Sequence, residues 1–220
     1  MSLHLQREIE KLKKQLLGLG ALVEDNLQLA FRAVEQRDAA LIAKVVECDQ
    51  LVDRLEVEIE EECLKVLALH QPVAIDLRFI IAVMKINNDL ERVSDHAVNI
   101  TDKLRHLDGS PAGLSPADLR VIAGSALRML KKAIDCFVNM DASRAQTVCA
   151  MDDEVDALKH RIRDQVLAAI ATSPAEAESL LALLGVARNL ERIADLATNI
   201  AEDVIYLVEG NIIRHAPPAP

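Results

Sequence analysis

Residues 90–102 read LERVSDHAVNITD, and residues 190–202 read LERIADLATNIAE. Leu, Glu, Arg, Asp, Ala, Asn and Ile return to the same places at an offset of 100 residues. Upstream, the stretch DQLVDRL that starts at Asp49 is echoed by DDEVDAL, which starts at Asp152. Two ordered echoes in one chain mark a duplicated unit. The first motif lies within a sustained helical seam. Val83, Ile86, Leu90, Val93, Ala97, Ile100, Leu104 and Leu107 follow one another in alternating steps of three and four, the spacing of one buried helix face. Similar helical spacing joins Leu51, Leu55, Ile59 and Val66, and again Val155, Leu158, Ile162 and Val166.

Helix breakers divide the remainder. The first helix is expected from about residue 3 to 34, and Asp38 is placed to cap the second. Pro72 ends the second helix near His70, because proline cannot continue it. The third runs from about 74 to 107. The stretch DGSPAGLSP (residues 108–116) is the one loop rich in turn formers, and Ser115-Pro116 opens the fourth helix. That helix ends near Asn139, the fifth spans about 143–171, and Pro174 opens a sixth that reaches about Gly210. The expected fold is all-α: a tandem repeat of two three-helix bundles, six long antiparallel helices in total. The first repeat occupies 1–108, the second 116–210, and 211–220 is a flexible tail.

Composition agrees. Hydrophobic residues make up 51% of the chain but aromatics only 2%, which suits packed helices better than a β-sandwich. The balance of 25 basic against 35 acidic residues, with rings scattered singly, does not fit a nucleic-acid footprint. The apolar runs Phe79–Met84 and Leu180–Ala187 are too short to span a bilayer. Met1 to Lys14 is amphipathic and does not read as a leader. The four cysteines show no C-x-x-C pair, so free thiols in a reducing cytoplasm are expected.

The carboxylates carry the chemistry. Asp49/Asp53, Glu91/Asp95, Asp152/Asp156 and Glu191/Asp195 are each four apart, so each pair shares a helix face. If the second and third helices form a hairpin turning at Pro72, Asp49 lies level with Asp95, and Asp53 with Glu91. A turn between Ser173 and Pro174 likewise sets Asp152 level with Asp195 and Asp156 with Glu191. Each hairpin thus gathers four carboxylates at one height. Such a group calls for cations, protons or a basic partner. An oxygen-rich set suits Mg, Ca, Mn, Fe or Zn. Asn99, Asp102, Asn199 and Glu202 continue the stripes and add oxygens. Arg92 and Arg192 offer the plainer alternative of neutralising neighbouring acids. On a helical wheel the stripe lies opposite the Leu90–Ile100 seam, which places it on an outer face or in a groove.

With Gln71-Pro-Val-Ala-Ile-Asp-Leu-Arg78 at the turn and the repeated L-E-R-x-x-D followed four residues later by Asn, the chain resembles the PhoU family from about Leu3 to Gly210. The resemblance implies two three-helix repeats, a cytoplasmic homodimer, and negative regulation of phosphate uptake and the starvation response. It implies partners as well, the phosphate ABC transporter and the sensor histidine kinase of the phosphate regulon. It also maps surface metal clusters, with Fe or Zn, onto the eight carboxylates named above. In the first copy Glu56 and Glu60 extend the acidic stripe, where the second has Lys159 and Arg163, so stronger metal binding is expected in the first half.

His96, beside Asp95, reads as a surface histidine in preference to a ligand, Cys48 and Cys149 as small buried hydrophobes in preference to soft ligands, and Arg78 as either a partner contact or a mate for Asp76 or a helix end. No enzyme is expected. No histidine has an acid three residues before it, as an inward di-iron site requires. There is no phosphate-binding P-loop and no nucleophile motif. No direct phosphate site is legible.

Overall fold

The computed structural model describes residues 3–106 and 116–210. Leu107, residues 108–115 of the expected 108–116 loop and the expected tail at 211–220 lie outside the described residues. The described elements are α1 (Leu3–Gln36), α2 (Ala39–His70), α3 (Ala74–Asp102) with a 3₁₀ turn (Lys103–His106), α4 (Pro116–Asn139), α5 (Ala142–Cys149), α6 (Asp152–Thr172), a 3₁₀ turn (Pro174–Glu176) and α7 (Ala177–Glu209). Asp38 caps α2 by accepting from the Ala40 N–H at 2.8 Å. Asp141, which the sequence did not single out, caps α5 through Arg144 N–H at 2.9 Å. Gln71 closes α2 in the left-handed region, with its N–H on Leu67 O.

Two expectations are corrected. The single fifth helix is broken at Ala150–Met151, where the Met151 N–H bonds Val148 O three residues back instead of four. A fresh helix start then falls on Asp152, Asp153 and Glu154, and acidic residues in a first turn are favoured by the helix dipole. In the first repeat α2 runs unbroken through the matching position. The expected α2 seam holds at Ile59 and Val66 and departs at Leu51. Leu51 is 39% exposed and Leu55 half-buried, while Val45, Val52, Ile59, Cys63 and Val66 line the core.

Helices α1, α2 and α3 pack on one another, as do α4, α5, α6 and α7, and α3 against α7 together with α1 against α4 join the halves. Leu90, Val93, Ala97 and Ile100 are fully buried, and so are their counterparts Leu190, Ile193, Ala197 and Ile200. Burying each Leu or Ile is worth about 1.5–3 kcal/mol. The buried residues of both halves form one continuous apolar cluster. Phe79 of α3 stacks on Phe137 of α4 at 5.6 Å between ring centroids.

The seam between α3 and α7 also holds charge. Lys85 Nζ lies 3.1 Å from Asp203 Oδ1, and the Asp203 side chain is only 2% exposed. The same ammonium sits 5.5 Å from the centre of the Tyr206 ring. His96 Nδ1 and Asn189 Oδ1 lie 3.0 Å apart further along. Lys85 meeting Asp203 while His96 meets Asn189 makes α3 and α7 antiparallel. Lys85→Ala leaves a buried carboxylate short of its cation and is expected to cost about 2 kcal/mol in urea denaturation. Arg163→Ala, which removes an exposed pair with Asp164, should change stability by less than about 0.5 kcal/mol. Equal effects would mean that the Lys85–Asp203 pair does not join the halves.

Candidate functional site

In the first half, α2 presents Asp49, Asp53 and Glu56, and α3 presents Glu91 and Asp95. Burial pushes the Glu91 carboxyl up to about 6, helped by the charges of Asp95, Asp53, Glu56 and Asp49. The hairpin therefore sets Asp49, Asp53 and Asp95 within electrostatic reach of Glu91. Asp49 is raised by burial, opposed by the Ser94 hydroxyl, and raised further by Asp53 and Asp95. Ser94 Oγ donates to Asp49 Oδ1 at 2.7 Å and accepts from Asn26 Nδ2 at 2.9 Å. Ser94 and Asn26 are both fully buried, so α1 reaches through α3 to hold an acid on α2. Asp53 and Asp95 are exposed. Glu56 is raised by burial, then by Glu60 and Asp53.

The second half repeats the gathering with different neighbours. Burial raises Asp152 to about 6, followed by the charges of Asp195, Asp156, Glu191 and Asp153. Asp195 is raised by burial, then by Glu191 and Asp156, with Lys159 and Arg192 opposing. Lys159 Nζ stands 2.6 Å from Glu191 Oε1 and 3.6 Å from Asp156 Oδ1, so an ammonium already bridges two of the four acids. Ala194 occupies the place of Ser94, and Asp152 has no equivalent hydroxyl. Of the additional oxygens, Asn99 is exposed, while Asp102, Asn199 and Glu202 are half-buried.

Beside the second patch, a cavity of about 440 Å³ opens along the α3–α7 seam, lined by Arg92, His96, Asp152, Arg192, Asp195 and Asn199 among others. His96 is not the surface residue that its spacing suggested. It is half-buried, and burial lowers its pKa. Asn189 Nδ2 donates to Gly185 O at 2.8 Å, which turns its Oδ1 toward His96. The Nδ1 of the ring therefore carries the proton, and Nε2 remains an acceptor.

Arg92 pairs with the mostly buried Asp89 at 3.3 Å rather than with Glu91 or Asp95. Arg78 packs on the α7 end, where a Cβ at Gly210 would meet its Nη1 at 3.4 Å. Cys48 and Cys149 are half-buried free thiols rather than fully buried ones, and burial pushes Cys149 up to about 11. Among the described residues, no three His, Cys, Asp or Glu side chains stand close enough to form a ready-made metal cage. The acids form open patches at one height rather than a closed coordination sphere.

The sequence pattern of the PhoU domain matches this chain twice, over residues 16–104 and 119–204. The chain belongs to the PhoU family. A phosphate-specific transport system accessory protein PhoU homolog of Pseudomonas putida is 36% identical over 94% of this chain and 82% of its own length. A homolog of the same description from Clostridium acetobutylicum is 32% identical over 93% of this chain and 94% of its own. Among solved structures, PhoU from Pseudomonas aeruginosa superposes with a TM-score of 0.89 at 35% identity, covering 94% of this chain and 99% of that one. The phosphate transport system regulatory protein PhoU from Streptococcus pneumoniae reaches 0.86 at 27%, covering 94% and 98%. Among the described residues, no helix of this PhoU chain is long and apolar enough to cross a membrane.

The raised carboxyls give the PhoU patches a pH signature. Glu91 and Asp152 hold protons in the fold up to about pH 6, whereas unfolded carboxyls release them near pH 4. Between those limits the folded chain binds more protons, so these two groups lose stability as pH rises through the window. His96, held neutral by burial, acts in the opposite sense, so comparison with variants isolates the carboxyls. In chelator, Glu91→Gln and Asp152→Asn are each expected to raise the melting temperature at neutral pH and to leave it unchanged near pH 4. Melting curves across that range check it, and a variant less stable at neutral pH would contradict it.

Proposed function

We propose that this chain is a negative regulator of phosphate uptake and of the phosphate-starvation response. It acts by contact rather than catalysis, at the cytoplasmic side of the phosphate ABC transporter and its sensor histidine kinase, as a homodimer. The observation that carries this reading is the match of both halves to the PhoU domain, with relatives described as phosphate-specific transport system accessory proteins at 32–36% identity over nearly the whole chain. The carboxylate patches are its cation-dependent surface. Asp49, Asp53, Glu91 and Asp95, with Asn99 and Asp102, form the first ligand set. Asp152, Asp156, Glu191 and Asp195, with Asn199 and Glu202, form the second. Clustered carboxyls fit a hard or borderline cation, Fe or Zn and equally Mg, Mn or Ca, because such an ion relieves the mutual repulsion that adds to burial in raising Asp49, Glu91, Asp152 and Asp195. When bound, it neutralises the patch, and the residues themselves present the surface to a partner.

In a host lacking this gene, a phosphate-regulon reporter such as alkaline phosphatase is expected to stay high in phosphate-rich medium. The wild-type chain should restore repression, and Glu91→Ala with Asp95→Ala should restore less of it. Unchanged reporter output with and without the chain would overturn the phosphate reading in favour of a metal-binding helical adaptor unrelated to phosphate signalling.

The two patches differ in a way that supports unequal metal affinity. Lys159 bridges Glu191 and Asp156 in the second half, where Glu56 adds another acid in the first. Asp53→Ala is therefore expected to lose more bound metal than Asp156→Ala when protein purified after iron or zinc loading is assayed by elemental analysis. Equal losses would count against the asymmetry.

A further inference from the structure

On the side of the molecule where α1 meets α4, the two helices touch at two levels and part between them. At one level Gly20 lies under Ile134, and a Cβ there would come within 3.1 Å of Ile134 Cδ1. At the other level Arg120 Nε donates to Glu35 Oε1 at 2.5 Å. Between these closures lies a cavity of about 360 Å³, floored by Leu27 and Leu190, walled by Phe31 and Leu127, with Arg32 and Arg120 among its lining residues. The space exists because α4 places Ala123 and Gly124 opposite Phe31 and Leu27. Leu190 at 0% and Leu27 at 2% exposure lie beneath it, and the apolar surface that a ligand can reach is that of the half-buried Phe31 and Leu127.

We propose that this slot binds a small amphipathic monoanion, a short alkyl chain ending in a carboxylate. Its volume lies in the range of small-molecule sites, and an apolar floor with few polar groups at the mouth is their usual composition. The lining from Leu27 to Arg32 spans about 7.5 Å of helix axis, the scale of a short chain. The charge at the mouth sets the head group. Arg120 is matched by Glu35, whereas Arg32 is exposed and has no ion-pair partner among the described residues. Arg128 lies against Gly124 but donates to the Ser125 hydroxyl and is not part of the lining, so the lining holds one unmatched guanidinium, which suits one carboxylate held by two parallel N–H donors. The slot lies apart from the carboxylate patches, and its occupancy can be read without any phosphate signal.

Titration of the full-length protein with sodium octanoate, followed by heteronuclear NMR and calorimetry, tests this. One saturable octanoate per chain is expected, with the amide shifts largest around Ala123, Gly124 and Leu190. Octanol, which lacks the charge, should bind about ten-fold more weakly. Arg32→Glu should weaken octanoate by at least about ten-fold while leaving the melting temperature unchanged. Gly124→Phe should fill the slot and abolish binding. No saturation, equal affinity for octanoate and octanol, or full octanoate affinity in Arg32→Glu would each overturn the proposal.

Discussion

The antiparallel contact of α3 with α7 is the constraint on which the rest depends. Each of these helices must bury a seam in its own bundle, meet its counterpart from the other half, and hold its acids toward α2 or α6. The L-E-R-x-x-D motif does all three through side-chain spacing alone. Its Leu points inward, its Glu and Asp face the neighbouring hairpin helix, and its Arg reaches the seam. Because the helices run in opposite directions through the same motif, the contact has an approximate two-fold centre near Val93 and Ile193. Arg92 and Arg192 thereby reach one cavity from opposite sides. Shifting either helix by one residue would turn its seam away from the core and its acids away from their partners. The Lys85–Asp203 pair, with one end desolvated, ties this register to charge as well as to packing.

Around that centre the two halves have diverged in chemistry while keeping their shape. Ser94 faces Asp49 in the first half, and Ala194 leaves Asp152 without a hydroxyl. Glu56 deepens the first patch, and Lys159 partly neutralises the second. His96 lies in the central cavity with acids of the second half, and its counterpart in the other copy is Leu196. The break at Ala150–Met151 has no counterpart in α2. Each difference acts on how an acid is held rather than on where it stands. The backbone thus keeps a near-symmetric frame, and the side chains make the two patches unlike.

The helices were legible because their signals are local. Asp38, Pro72 and Pro174 punctuate the chain wherever they sit, and the Leu90–Ile100 seam is a three-to-four rhythm that tolerates few other readings. The levelling of Asp49 with Asp95 was legible because a hairpin converts distance from its turn into height. What escaped depends on the way separate helices meet. The Asn26–Ser94–Asp49 chain joins three helices, and no spacing within one helix announces it. His96 was misread because its partner, Asn189, belongs to the other repeat. Leu51 departs from its expected place because α2 has a weak apolar stripe, and Val52, about 100° round the helix, takes the core instead. The α1–α4 slot arises from small residues, Ala123 and Gly124, whose meaning depends on the helix opposite.

The buried chain from Asn26 through Ser94 to Asp49 has a direction. A hydroxyl has one proton, and Ser94 gives it to the Asp49 carboxylate, so toward Asn26 it can only accept. The amide of Asn26, sealed within the core, is thereby fixed with its nitrogen toward α3. Neutralising Asp49, whether by a proton or by a cation, weakens the pull on that hydroxyl and loosens the bond behind it. An event of charge on the outer face of α2 is therefore transmitted as a change of hydrogen-bond strength inside α1. The first repeat thus links an acid of α2 by two hydrogen bonds to the helix that packs against the other half, and the second repeat, with Ala194 at the same position, lacks that link.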